Sequence, residues 1–129
     1  MLRWLWLWAP PIAEMIGLFW ASSQSDLATL PGNVSDKFAH FAAYALLAVF
    51  TLRGWAGGRW AGVNRRSVLL TVAVGAAYGA FDELHQLFTP GRSSSFDDWI
   101  ADMLGTAAAI ALGLTGAWLA RRVAARRGI

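Results

Sequence analysis

The side chains best suited to chemistry are concentrated between Gly75 and Gly105, a stretch that stands between two long apolar runs. Five of the eight acidic residues of this apolar chain fall there. Burying a charged group costs several kcal/mol unless it is paired, so charges within such a chain indicate a functional site by default. The stretch contains Asp82, Glu83, His85, Gln86, Arg92, Asp97, Asp98 and Asp102.

The strongest candidate for acid–base chemistry is His40. A histidine that is hydrogen-bonded to the carboxylate of Asp82, Glu83 or Asp102 is suited to act as a general acid or base. Arg92 lies just before the start of a helix, where it is suited to hold a phosphate or carboxylate. The predicted catalytic candidates are therefore His40, Asp82, Glu83 and Arg92.

Polar residues recur at intervals of four in the apolar helices, which places them on one helix face at depths that differ by about 6 Å. Asp36, His40 and Tyr44 follow this spacing near the start of the second helix. Similar spacing in the third and fourth helices predicts a common polar vestibule at one end of a bundle. The residues predicted to bind a substrate there are Asp36, Lys37, Tyr44, Gln86, Ser93, Asp98 and Asp102.

Metal binding and acyl transfer are less favoured by the sequence. His85 lies three residues after Asp82, and together with His40 these ligands would suit zinc, manganese, magnesium or calcium. No dedicated metal-binding signature is present, so we predict no bound metal and no cofactor. The serines after Arg92 have no elbow motif and no adjacent base, which argues against a serine nucleophile.

Composition places the chain in the membrane class. Hydrophobic residues make up 57% of the 129 residues and charged residues 15%, whereas a soluble domain has about a quarter charged residues. The net charge of +3 comes from arginines at segment ends rather than from a basic stripe, so no nucleic-acid partner is predicted. The absence of cysteine excludes disulfides and thiolate chemistry.

Four apolar runs predict an all-α membrane protein in which four transmembrane helices form an antiparallel bundle. Pro10 and Pro11 are expected to kink the first helix, and Pro31 with Gly32 predicts a turn before the second. Because Glu14 and the prolines interrupt the first run, we expect a retained anchor rather than a cleaved signal peptide. The helices are predicted at about residues 4–22, 36–55, 67–88 and 95–120 of a single domain, 1–129.

The distribution of arginine predicts the orientation of the chain. Arg3, the loop 53–66 and the tail 121–127 all fall on one side of the four runs and carry most of the basic residues. The positive-inside rule places both termini in the cytoplasm. The polar vestibule is then expected to face the periplasmic or extracellular side.

The polar motifs resemble those of the VanZ-like family of small bacterial membrane proteins, which is named for a teicoplanin-resistance protein. The resemblance rests on DKFAHFAAY at 36–44, FDELHQ at 81–86, PGRS at 90–93 and Asp98, and it extends over about residues 22–105. It implies a multi-pass protein of the bacterial inner, or plasma, membrane and a link with glycopeptide antibiotic resistance, but no settled reaction. Where many relatives have asparagine, this chain has Asp102.

We expect a cell-envelope protein whose vestibule binds or shields a lipid-linked cell-wall precursor or a glycopeptide-like molecule. Two alternatives stay open at this point. One is a membrane-embedded hydrolase or transferase that acts on a lipid head group, with His40 as the base and Arg92 as the anion clamp. The other is a structural or partner-binding bundle that the polar residues merely hold together. The partner common to all three is the lipid bilayer, and the sequence does not predict an oligomeric state.

Overall fold

The computed structural model describes residues 1–25 and 35–128. It confirms the predicted all-helical class, since the described residues contain long helices and no strand. A short 3₁₀ turn, Trp60–Gly62, lies between the second and third helices. The long helices are α1 (Leu2–Ser22), α2 (Asp36–Trp55), α3 (Arg65–Gln86) and α4 (Phe96–Arg126).

Side-chain caps fix where α2, α3 and α4 begin; at α4 the Ser95 hydroxyl accepts from the Asp97 amide at 3.2 Å. The hydroxyl of Ser35 accepts a hydrogen bond from the backbone amide of Phe38 at 3.2 Å, which starts α2 as predicted. Asn64 accepts from the Ser67 amide at 3.1 Å, and the Ser67 hydroxyl accepts from the Asn64 amide at 2.9 Å. This reciprocal capping box starts α3 at Arg65, before the predicted residue 67.

The other bounds differ from the predicted ones at the helix ends. The α3 helix ends at Gln86 rather than residue 88, because the chain already turns ahead of Pro90. The α4 helix continues to Arg126 rather than residue 120, since alanine and arginine are strong helix formers. The α1 helix is continuous through Pro10 and Pro11, and the predicted turn at residues 31–32 lies outside the described residues.

Three of the helices, α2, α3 and α4, are long and apolar enough to cross a membrane by length and composition. Large apolar side chains cover the outside of the bundle, as shown by the exposed fractions of Phe88 (79%), Leu112 (73%) and Phe96 (72%). An apolar outer surface of this kind suits lipid rather than water.

The most extensive contact in the bundle is that between α2 and α4. It depends on Gly105, because a Cβ atom there would collide with the backbone carbonyl of Phe41 and lie 3.0 Å from the amide nitrogen of Ala45. Gly79 of α3 has a similar role, since its Cβ would lie 2.9 Å from a carboxylate oxygen of Asp102. Glycine thus allows close approach of the helices that carry the polar residues.

The two ends of the bundle differ in chemistry. At the end that we call the polar end, the C-terminal turns of α1 and α3 meet the N-terminal turns of α2 and α4, as in the contact between Ser22 and Asp82 and that between Lys37 and Asp98. At the opposite end, which we call the basic end, arginines surround an apolar cluster. The cluster consists of Leu52, Ala56, Val63 and Ala117.

Candidate functional site at the polar end

A histidine–aspartate pair joins α2 to α4. The Nδ1 atom of His40 lies 2.9 Å from Oδ1 of Asp102, and the two side chains are 8% and 0% exposed. The other ring nitrogen of His40, Nε2, lies 4.0 Å from Oδ2 of Asp36. Asp102 therefore holds the imidazole in one orientation, and the second nitrogen points towards the outer part of the site.

A second buried carboxylate, that of Asp82, joins α3 to α1. The hydroxyl of Ser22 donates to its Oδ1 atom, and the amide of Gln86 donates to its Oδ2 atom at 3.4 Å. Asp82 is 3% exposed and Gln86 is 1% exposed. Both oxygens of this carboxylate thus have a donor, which a buried carboxylate requires.

The carboxylate of Glu83 organises the connection between α3 and α4. Its Oε2 atom accepts hydrogen bonds from the backbone amide of Ser95 at 2.7 Å and from the hydroxyl of Ser94 at 3.0 Å. These donors stand at the N-terminus of α4, where the helix dipole favours a negative charge. Glu83 is only 8% exposed, and these hydrogen bonds stabilise its buried carboxylate.

An ion-pair cluster forms the rim of the polar end. The ammonium group of Lys37 lies 3.4 Å from Asp98 and 3.6 Å from Asp97. Asp98 is 5% exposed, whereas the Lys37 and Asp97 side chains are 57% and 72% exposed. The rim therefore contains one buried carboxylate that is paired with a largely solvated cation.

A cavity of about 150 Å³ lies among α1, α2 and α3. Its lining combines apolar side chains with charged and hydrogen-bonding ones. Arg92 is part of the lining, is partly buried and makes no ion pair within 4.0 Å among the described residues. The polar lining residues are Ser22, Asp36, His40, Asp82, Gln86 and Arg92, and the apolar ones are Leu18, Ala21, Ala39 and Ala43.

Several buried polar side-chain atoms of α2, α3 and α4 have no hydrogen-bond partner among residues 1–25 and 35–128. They include the hydroxyl of Tyr44, the Oε1 atom of Glu83 and the Oδ2 atom of Asp102. Native proteins leave few buried polar groups unsatisfied, so such atoms call for an explanation.

The structure brings most of the predicted site residues together, while their roles stay predictions. Glu83 and Asp102 lie beside His40, with ligand atoms within 4.8 Å of one another. Tyr44 is fully buried and Ser93 is exposed, and neither lines the cavity. Five predicted residues do line it, namely Asp36, His40, Asp82, Gln86 and Arg92.

Two features of the site differ from the expectations. Helix α1 supplies Leu18, Ala21 and Ser22 to the cavity, although no residue of α1 was among the predicted catalytic or substrate-binding residues. His85, which was weighed as a partner of Asp82 in a metal site, instead lies against α1. Its Nε2 atom is 2.9 Å from the hydroxyl of Ser23, and it stacks near a phenylalanine of α1.

The comparisons with known proteins point to one family. A family model described as VanZ/LLP1 matches residues 8–119. The match covers all of α2 and α3 and the parts of α1 and α4 that form the polar end. No curated protein and no solved structure matches the chain significantly.

Proposed function

The chain belongs to the VanZ/LLP1 family of membrane proteins, and from this premise we propose that its polar end binds the head group of a lipid-linked cell-envelope molecule. The observation that carries the proposal is the cavity, whose lining combines apolar side chains with charged and hydrogen-bonding ones. An amphiphilic molecule matches such a lining, because the start of its hydrocarbon chain contacts alanine and leucine while its head group meets the polar residues.

The charges of the cavity indicate the kind of head group. The guanidinium of Arg92 is suited to bind a phosphate or carboxylate through paired hydrogen bonds. Asp36 and Asp82 supply acceptors for an ammonium, amide or sugar hydroxyl on the same ligand. The favoured ligand therefore carries an anionic group beside hydrogen-bond donors.

The size of the cavity limits how much of a ligand it encloses. A volume of about 150 Å³ equals that of an engineered cavity that holds one benzene molecule, so a group of about six heavy atoms fits. A whole glycopeptide antibiotic is far larger and would insert only one terminal group. This comparison favours a lipid-linked precursor over a glycopeptide as the ligand.

The proposal includes an orientation in the membrane. We propose that all four helices cross in an antiparallel bundle of the bacterial plasma membrane, with both termini in the cytoplasm and the polar end on the outer side. Arg3, Arg53 and Arg121 all bind backbone carbonyls at the basic end, which supports this orientation by the positive-inside rule. Cysteine labelling at Ser93, with Ala61 as the opposite-end control, tests it.

Ligand binding by the purified protein tests the proposed function. We expect a polyprenyl phosphate and a polyprenyl diphosphate to bind in detergent, and Arg92→Gln to weaken binding by about tenfold or more. Arg59→Gln removes the same charge from an exposed position at the opposite end and is the matched control. Equal affinities of the parent and the Arg92 variant would contradict the proposal. Teicoplanin serves as the glycopeptide probe, and tighter binding of it than of the lipid would favour the glycopeptide ligand.

One observation favours a second candidate function, a hydrolase or transferase that acts on the same head group. The pairing of His40 with Asp102 at 2.9 Å is the arrangement in which a carboxylate orients a histidine general base. Replacing His40 with glutamine separates the two functions. Loss of head-group turnover with retained binding would favour the enzyme, whereas the absence of turnover by the parent protein would favour the binding function.

A further inference from the structure

Three side chains from three different helices converge directly beside the cavity. His40 of α2, Glu83 of α3 and Asp102 of α4 each offer one ligand atom, and these atoms lie within 4.8 Å of one another. From this geometry we propose that the three residues bind a divalent cation, Zn²⁺ or Mn²⁺.

The unpartnered carboxylate oxygens point to the same ligand independently. Within the described part of the chain, Oε1 of Glu83 and Oδ2 of Asp102 have no hydrogen-bond partner. The residues are 8% and 0% exposed, so bulk water does not solvate these oxygens. A cation between them satisfies both oxygens, which no protein group in the described residues does.

The chemistry of the three ligand groups indicates which cation fits the site. One imidazole nitrogen with two carboxylate oxygens suits Zn²⁺ or Mn²⁺ better than Ca²⁺, which prefers oxygen ligands alone. Two carboxylates also balance the charge of a divalent ion.

A second cluster shares His40 and is a poorer site. It consists of Asp36, His40 and Asp98, whose ligand atoms also lie within 4.8 Å of one another. Asp98 is already paired with Lys37, and Asp36 is solvent-exposed. The inner cluster has the unpartnered oxygens, and we therefore assign the ion to it.

This inference differs from the sequence-based expectation that no metal is bound. That expectation rested on the lack of a metal-binding sequence motif, and such motifs detect only ligands that lie close together in the sequence. The three ligands here come from positions 40, 83 and 102 and meet only in the folded bundle. The inference does not rest on the proposed head-group function, because uptake of the ion is measured without any lipid ligand.

Metal binding by the chelator-treated protein in detergent tests the inference. We expect one Zn²⁺ or Mn²⁺ ion per chain in a competition titration with a chromophoric chelator. Glu83→Gln and Asp102→Asn are expected to lower the affinity by about tenfold or more. His85→Gln and Asp97→Asn, which leave the inner cluster intact, are the matched controls and should keep the parent affinity; the Asp97 side chain is 72% exposed. Equal loss in the controls and in the cluster variants would overturn the inference.

Spectroscopy of the parent protein tests the metal site without any variant. Co²⁺ in place of Zn²⁺ is expected to give a visible d–d absorption band that saturates at one equivalent. Failure of the parent to bind Zn²⁺, Mn²⁺ and Co²⁺ stoichiometrically would overturn the metal site. Binding of the polyprenyl phosphate probe to the metal-free protein is measured separately. The absence of metal binding would therefore leave the head-group proposal standing, and the absence of probe binding would leave the metal site standing.

Discussion

The polar end and the basic end hold the same four helices together by different means. At the basic end, the apolar cluster is built around Leu52, Val63 and Ala117, which are 0 to 2% exposed. At the polar end, Asp82 and Asp102 occupy comparably buried positions, with exposures of 3% and 0%. Close packing without buried charge therefore joins α2 to α4 at the basic end, and the buried carboxylates at the other end require a different explanation.

The charged residues of the two ends differ in the same way. Arg3 and Arg121 of the basic end donate to the backbone carbonyls of Gly57 and Ala61 from exposed positions. Glu83 and Asp102 of the polar end are instead buried beside one another and beside His40. Charges that only stabilise helix ends stay at the surface. Buried charges that face a cavity indicate binding or catalysis.

The largest expected effect comes from removing one member of the buried pair. In chelator-treated protein, Asp102→Ala leaves His40 without its partner, and the free energy of unfolding should fall by about 3–5 kcal/mol. The double variant His40→Leu/Asp102→Leu should recover most of this loss, because an apolar pair needs no solvation. Titration with sodium dodecyl sulfate in mixed micelles, followed by circular dichroism, measures both changes.

The matched change at the basic end is Leu52→Ala, which should cost about 2–5 kcal/mol by opening a cavity in the apolar cluster. The double variant at the polar end should fold but bind polyprenyl phosphate more weakly than the parent, because His40 lines the cavity while Arg92 is retained. A double variant as unstable as Asp102→Ala would instead favour the structural bundle, in which the polar residues hold the helices together.

The next largest change in the free energy of unfolding is expected from substituting glycines on the α4 face that packs against α2. Gly105→Ala directs a methyl group at the backbone of Phe41, which cannot move aside, whereas Gly113→Ala meets the flexible end of Leu52. We expect losses of about 3 kcal/mol for Gly105→Ala and about 1 kcal/mol for Gly113→Ala. The same micelle titration measures them.

Gly17→Ala is the control for this pair, because a Cβ atom there has nothing within 4 Å. It should leave stability unchanged or raise it by up to about 1 kcal/mol through helix propensity. If Gly105→Ala behaved like this control, close backbone contact would not position the polar end.

The fold and much of the site could be predicted because both depend on short-range patterns. Apolar runs and capping residues define where α2 begins and ends, and the predicted range 36–55 agrees with Asp36–Trp55. The four-residue spacing placed Asp36 and His40 on one face of α2, where both now line the cavity. These features need no knowledge of the neighbouring helices.

The features that the sequence did not reveal depend on how the helices rotate and shift against each other. Ser22 and Ser23 are adjacent at the end of α1, and only the position of α1 beside α3 decides that Ser22 bonds to Asp82. His85 lies close to Asp82 in sequence, but its ring turns to α1 and bonds to Ser23. The convergence of residues from α2, α3 and α4 likewise depends on helix register, which no local pattern encodes.

A smaller change in the free energy of unfolding is expected from substituting the two adjacent serines at the end of α1. The hydroxyl of Ser22 is the donor to buried Asp82, so Ser22→Ala should cost about 1.5–3 kcal/mol by leaving a carboxylate oxygen unsatisfied. Ser23→Ala should cost about 1 kcal/mol or less, since Ser23 bonds a backbone carbonyl and a partly buried histidine. Thermal unfolding of the two variants in detergent measures the difference. Equal losses would show that α1 is held by packing rather than by the polar network.

The smallest effect is expected at the rim. Lys37→Met removes ion pairs of 3.4 and 3.6 Å, but the lysine side chain is 57% exposed. Solvated pairs contribute about 0–1 kcal/mol, so the free energy of unfolding should change by less than about 1 kcal/mol. The rate at which an anionic head group associates should fall more clearly, and the difference from the parent should vanish at about 1 M salt, where charges are screened within about 3 Å. Stopped-flow binding at low and high salt measures the rate. A large loss of stability with an unchanged rate would mean that the rim, like the interior of the basic end, serves to join helices.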